Sequence, residues 1–245
     1  MIRQPGGTRI GARDLFGMVS LLIRYNLKII FANKFKYFLI AAVIFYLLIA
    51  IPSLFDTESD LGEGDMFNLL MFPGLLLVFY PSAYGIQNDM DTRMIETLFG
   101  IPDYRYKVWL VRLLLIYVIV FLLLLALTIV SGLVLLEMPV LRMVFHLMFP
   151  IFFLGSLAFM ISTVVRSGNA AAVIVVVIGL GFWIGVEILE HSRWNIFLNP
   201  FNMPQDMSEA VWIEIVLRSR IQLAVMTVLS ILLALFNLQK RERFV

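Results

Sequence analysis

The sequence contains no cysteine, and its 245 residues include only two histidines, at positions 146 and 191. The first absence excludes a disulfide framework, a thiolate metal site and a cysteine nucleophile. The second leaves almost no material for an imidazole metal cluster. Charge is scarce as well: Asp, Glu, Lys and Arg make up 15% of the chain, where about 25% is usual in soluble domains. The net charge of +2 is too small for a nucleic-acid footprint, and the basic residues fall at segment ends instead of in one patch. No G-x-x-x-x-G-K-[ST] run occurs, so the chain cannot cradle nucleotide phosphates by the P-loop route.

Apolar residues fill the space that charge leaves. They make up 61% of the chain, and mean hydropathy is +0.95. A water-soluble globule of this size cannot hide that much apolar surface, so lipid is the expected solvent for most of it. A membrane-crossing helix needs about 20 mostly apolar residues, and six segments qualify, at about 37–55, 66–86, 110–136, 143–165, 170–188 and 219–238. The third is the clearest, because Leu113 to Leu136 runs without a charge. The second carries Pro73 and Pro81, which a membrane helix tolerates when neighbours satisfy the freed carbonyls. With no internal repeat and no low-complexity linker, residues 1–245 read as a single all-α integral membrane domain.

Orientation follows from the flanking Lys and Arg. A cytoplasmic N-terminus puts residues 1–36, the 87–112 loop, Arg166 and the C-terminal tail on the inner side, with 15 of the 19 basic residues. Residues 56–65, with five acids and no base, then lie outside. Both termini are cytoplasmic, as six crossings require, and the basic tail from Gln239 is an inner anchor. No cleavable signal peptide is expected, because the apolar run does not open the chain. In residues 1–36, Arg13, Gly17, Ser20, Arg24 and Lys28 recur at helical spacing and share one face. The pattern predicts an amphipathic helix lying in the headgroup layer. A seventh crossing over 15–32 would bury Arg24 and Lys28, at about 2.5–3.5 kcal/mol each.

The loop between the second and third apolar segments carries the strongest functional signal. Asp91 can cap a short helix that Gly100 and Pro102 stop. Met94, Ile95, Leu98 and Phe99 form its apolar face, with Arg93 and Glu96 beside it. On periodicity this is either a docking knob for a soluble partner or an amphipathic turn resting on the membrane.

The run from Ile95 to Leu114 resembles the coupling region of ABC-2-type permeases, the transmembrane subunits of bacterial ABC exporters. There a Glu-Thr-Leu core is followed by a Pro, a basic residue and the next spanning helix. Glu96, Thr97, Leu98, Pro102, Arg105 and Arg112 occupy the matching positions. The amphipathic N-terminal helix is also similar to that family. So are the stretch from Leu154 to Ser167, which closes the fourth span with a basic residue, and the Asn199-Pro-Phe stretch before the sixth. The family's usual Gly-Lys appears here as Val111-Arg112, and its common small residue before the proline is Ile101.

The resemblance implies six transmembrane helices, a short cytoplasmic coupling helix and no motor of the chain's own. Two cytoplasmic ABC ATPases would bind ATP and Mg in trans. A second permease subunit, identical or paralogous, would complete the transporter in the bacterial inner membrane. The chain itself would be no enzyme, hold no cofactor and bind no nucleic acid, with membrane lipids around it. Arg93, Met94, Ile95, Glu96, Leu98, Phe99, Pro102 and Arg105 would couple it to the ATPase. The expected function is export of an amphipathic, lipid-like, peptide or glycolipid substrate, since the polar groups within the spans are few and mostly neutral.

Other constellations stay open. Glu187 and Glu190, beside His191, either serve substrate passage, as intramembrane carboxylates often do, or are solvated helix-end charges. Tyr80 and Tyr117 are the polar side chains considered with them for a substrate path. Gly181-x-x-x-Gly185 is a small-xxx-small spacing that lets helices approach closely, and span five borders the subunit interface in the resembled family. His146 reads as a neutral packing residue rather than a ligand, with Arg142 snorkelling beside it. Residues 208–216 form either a separate external helix or an early start to span six. An ATPase-independent channel or secondary transporter would be expected to show buried charges or paired broken helices in repeated halves, and neither is evident in the sequence. A docking or sensor subunit that transports nothing would share the 91–105 helix.

Overall fold

The computed structural model describes residues 35–55, 62–91, 104–185, 189 and 192–239. Six helices occupy them: α1 (Phe35–Phe55), α2 (Glu63–Asp91), α3 (Tyr104–Val134), α4 (Val140–Val165), α5 (Gly168–Ile184) and α6 (Glu209–Leu238). Among the described residues there is no strand. The six helices match the six apolar segments in order, and among the described residues four have the length and composition to cross a membrane. Those four are Glu63–Asp91, Val108–Val134, Val140–Val165 and Glu209–Leu238. The apolar stretches Lys36–Ile51 and Gly168–Ile184 are shorter. The expected helical, membrane-embedded fold is thus present, with four of the expected spans at full length among the described residues. α5 ends at Ile184 with Gly185 as its C-cap, whose amide donates to the Gly181 carbonyl.

Helix ends follow local chemistry. Gly62 opens α2, and its amide donates to the Asp65 carboxylate at 3.1 Å, half of a capping box. α2 then runs through Pro73 and Pro81, and α4 through Pro150. Arg166 ends α4 in the left-handed region at φ 61°, its amide donating to the Ser162 carbonyl. Ser167 caps α5, its hydroxyl accepting from the Ala170 amide at 3.4 Å. α6 is continuous from Glu209, so the 208–216 stretch is an early start to the sixth helix and not a separate element.

α2 and α4 form the centre of the bundle. Within their spanning stretches 67% of residues are buried, against 33% in α3 and 28% in α6. α4 packs against α6 and α2 most extensively and also touches α3 and α5, while α1 lies on α2. The core holds Phe67, Leu70 and Leu77 from α2, Ile116 and Leu124 from α3, and Leu147 and Ile151 from α4. Outward faces carry Leu114, Leu122 and Leu133 on α3 and Ile213, Leu217 and Leu229 on α6. Exposed leucine of this extent is what a lipid-facing surface requires.

The tightest seam lies between α2 and α4. A Cβ at Gly74 would overlap the Ile151 side chain, and one at Gly155 would lie 2.6 Å from Val78 Cγ2. Glycine at these two positions lets the backbones approach, the usual device where no hydrophobic force drives helices together in lipid. Gly181 meets nothing within 4 Å. The Gly181–Gly185 spacing thus forms no seam among the described residues.

Candidate functional site

The buried charged side chains among the described residues, Asp89, Arg112 and Arg220, lie toward the two ends of the bundle. At the end where α2 finishes and α3 begins, Asp89 and Arg112 form a buried ion pair, with Arg112 Nη1 donating to Asp89 Oδ2 at 2.6 Å. The Arg112 guanidinium also lies 5.4 Å from the Trp109 ring, which packs at 5.7 Å on Phe159 of α4. Beside it, Gln87 Oε1 accepts from the Gly168 amide at 2.6 Å, and the Tyr84 hydroxyl donates to Asn169 Oδ1 at 3.0 Å. These contacts tie the end of α2 to the start of α3 and to the α4–α5 turn.

At the opposite end, the residues before α6 fold back over the start of α2. Asn199 Nδ2 donates to the Gly64 carbonyl at 2.8 Å, and Asn199 Oδ1 accepts from the Phe201 amide at 3.1 Å. Trp212 Nε1 donates to the Pro200 carbonyl at 3.2 Å. Arg220 of α6 is buried here, 3% exposed. Its Nη2 donates to the Leu198 carbonyl at 2.8 Å, and its Nε makes a long contact of 3.4 Å to His146 Nδ1.

Several residues singled out in the sequence lie outside the described residues. They are the whole N-terminal amphipathic stretch, Arg93, Met94, Ile95, Glu96, Leu98, Phe99 and Pro102 of the loop, and Glu187, Glu190 and His191. Arg105 falls within the first turn of α3. Gly181 lies on an exposed face of α5, and Gly185 ends that helix. Arg142 is exposed, over the Phe201 ring at 5.7 Å. His146 packs edge-on to Phe201 and accepts from Arg220, in keeping with a packing role.

Tyr80 and Tyr117 are not brought together along a path. Tyr80 stacks between Phe38 and Tyr84, at 4.3 and 5.1 Å. The Tyr117 hydroxyl donates to the Phe152 carbonyl at 3.1 Å, inside the α3–α4 packing. The span hydroxyls turn to their own helices: Thr128 donates to the Leu124 carbonyl, Ser131 to Leu127 and Thr227 to Leu223. Because Ser131 spends its proton this way, the Tyr46 hydroxyl is the donor in the 2.6 Å bond between α1 and α3. Among the described residues no group of three or more His, Asp or Glu side chains could hold a metal ion.

The expectation that no charge is buried is overturned by Asp89, Arg112 and Arg220. In the sequence Asp89 and Arg112 stand at the edges of a polar loop, and nothing in the run of residues marks them as buried. The flanking helices extend past both residues and enclose them. Arg220 read as a span-end cation, but α6 begins at Glu209 and carries it a third of the way into the helix.

No protein-family model, curated protein or solved structure matches this chain.

Proposed function

We propose that this chain is the membrane subunit of an ATP-driven transporter of the ABC-2 type, with residues 91–105 docking a cytoplasmic ABC ATPase. The observation that carries the reading is the Asp89–Arg112 ion pair. It clamps both ends of the loop that bears the coupling-like run and links them through Trp109 to the central helix α4. A push on such a loop reaches α2 and α3 together, as rigid-body rocking of the bundle requires. On this reading α1 and α5 also cross, completing six spans. A 17-residue α5 reaches about 26 Å, and a shortfall of that size is met by local thinning of the bilayer. Both termini then lie in the cytoplasm of a bacterial cell, and the movement is export of an amphipathic, lipid-like, peptide or glycolipid substrate. A second permease subunit packs on the exposed α5 face around Gly181. ATP and Mg belong to the ATPase, and no residue of this chain is catalytic.

The test is affinity purification of the tagged chain in mild detergent from its native host. Recovery of a soluble protein with a Walker A motif, lost on Leu98→Asp, supports the reading. Recovery of the chain alone across several detergents overturns it. A second reading, an ATPase-independent channel or secondary transporter, is favoured by the buried charges at Asp89, Arg112 and Arg220, which such proteins use along ion pathways. It predicts substrate flux from the chain reconstituted alone, without ATP.

A further inference from the structure

A cavity of about 320 Å³ opens beside the starts of α4 and α6, where Arg142, His146, Phe149, Trp212, Leu217 and Arg220 are among the residues that line it. Its charged side chains among the described residues are of one sign. Arg220 is 3% exposed, and its Nη1 has no hydrogen-bond partner among the described residues. Arg142 adds a second guanidinium, and His146 is the remaining ionisable group on the wall. No carboxylate among the described residues lines the cavity. The nearest acid along α6, Glu214, is exposed and paired with Arg218.

A buried guanidinium without a counter-charge is costly unless something supplies the charge. One of its faces is already committed, to the Leu198 carbonyl and His146, and Nη1 is the buried nitrogen still unpartnered among the described residues. A planar fork of this kind suits an oxyanion, bound through two parallel hydrogen bonds. The rest of the wall is apolar: Phe145, Phe149, Val216, Leu217 and Ile221. Leu217 and Ile221 are exposed toward the lipid-facing side of α6, so an acyl chain can leave the cavity into the bilayer.

We infer that this cavity binds the oxyanion headgroup of an anionic amphiphile, with Arg220 and Arg142 holding the anion and the α4–α6 groove taking the first part of its acyl chain. The shared chemistry is a phosphate-like oxyanion. The apolar walls select a phospholipid over free phosphate. The inference stands on the cavity itself and does not rest on ATP-driven transport.

The experiment is native mass spectrometry of the full chain in a neutral maltoside detergent. It is titrated with dioctanoyl phosphatidylglycerol, with dioctanoyl phosphatidylcholine and with inorganic phosphate. The expected result is one phosphatidylglycerol per chain, retained at least ten-fold more tightly than phosphatidylcholine. Arg220→Gln should weaken it ten-fold or more, and Arg220→Lys less. Because Arg220 also holds the Leu198 carbonyl, two further variants keep the test independent of folding. Arg142→Gln alters an exposed residue and should weaken binding several-fold. Ala224→Phe fills the cavity while keeping both cations in the chain and should abolish the one-to-one complex. Equal retention of the two lipids, or binding unaffected by Arg142→Gln and Ala224→Phe, overturns the inference. Inorganic phosphate bound as tightly as phosphatidylglycerol overturns the amphiphile and leaves a site for a free anion.

Discussion

Asp89 near the end of α2 and Arg112 in α3 lie 23 residues apart and meet in a buried ion pair of 2.6 Å. Removing one partner of such a pair strands the other charge and costs about 3–5 kcal/mol, while replacing both with apolar residues is often close to neutral. Asp89→Leu and Arg112→Met should therefore each lower the unfolding midpoint in detergent by many degrees. The double variant should recover most of the loss. Additive losses in the double variant would show that the two charges act independently.

On the proposed function the same pair positions the loop. With the double variant folded but the clamp gone, the partner ATPase should still co-purify, because the docking residues at 93–99 are intact. ATP hydrolysis should continue while substrate movement falls severalfold. Glu96→Ala should uncouple the two in the same way, and Leu98→Asp should remove the partner altogether. Loss of the ATPase from the Asp89→Leu/Arg112→Met double variant would place the ion pair in docking itself and not in transmission.

The cap at the other end has its own signature. Asn199 bridges the Gly64 carbonyl and the Phe201 amide, and Trp212 anchors the Pro200 carbonyl. A buried neutral hydrogen bond contributes about 1 kcal/mol, and a stranded acceptor costs about 1–3 kcal/mol. Trp212→Phe should destabilise by about 1 kcal/mol and Asn199→Ala by about twice that, read as shifts in thermal midpoint. The exposed Glu214–Arg218 pair, one helical turn apart, gives the contrast, since Glu214→Gln should stay within about 0.5 kcal/mol of the parent.

The helices were legible because composition and run length alone define segments that lipid can accept. All six segments appeared, and the prolines at 73, 81 and 150 did not interrupt α2 or α4. The buried charges were not legible. Whether Asp89 or Arg220 is solvated depends on how far a neighbouring helix extends past it, and helix ends are set by packing that a hydropathy window does not see. Arg220 in particular depended on α6 beginning at Glu209. The apolar cavity walls follow from the same packing. Glycine spacing alone also does not tell which helix lies opposite: Gly74 and Gly155 face each other's helices, whereas Gly181 faces none of the described residues.

That difference among glycines gives the sharpest stability test. At Gly155 an added Cβ would sit 2.6 Å from Val78 Cγ2 and 3.3 Å from the Tyr117 hydroxyl, and at Gly74 it would overlap Ile151. Both positions lie in the α2–α4 seam, where overpacking costs about 1–3 kcal/mol. At Gly181 the added methyl meets nothing, and alanine is the better helix former by up to about 1 kcal/mol. Gly155→Ala and Gly74→Ala should each lower the thermal midpoint, while Gly181→Ala should leave it unchanged or raise it. If a second copy packs on α5 in the assembled protein, Gly181→Leu should shift dimer to monomer in light scattering without lowering the midpoint of the single chain. Destabilisation of the monomer by Gly181→Ala as large as that by Gly155→Ala would contradict the placement of the seam between α2 and α4.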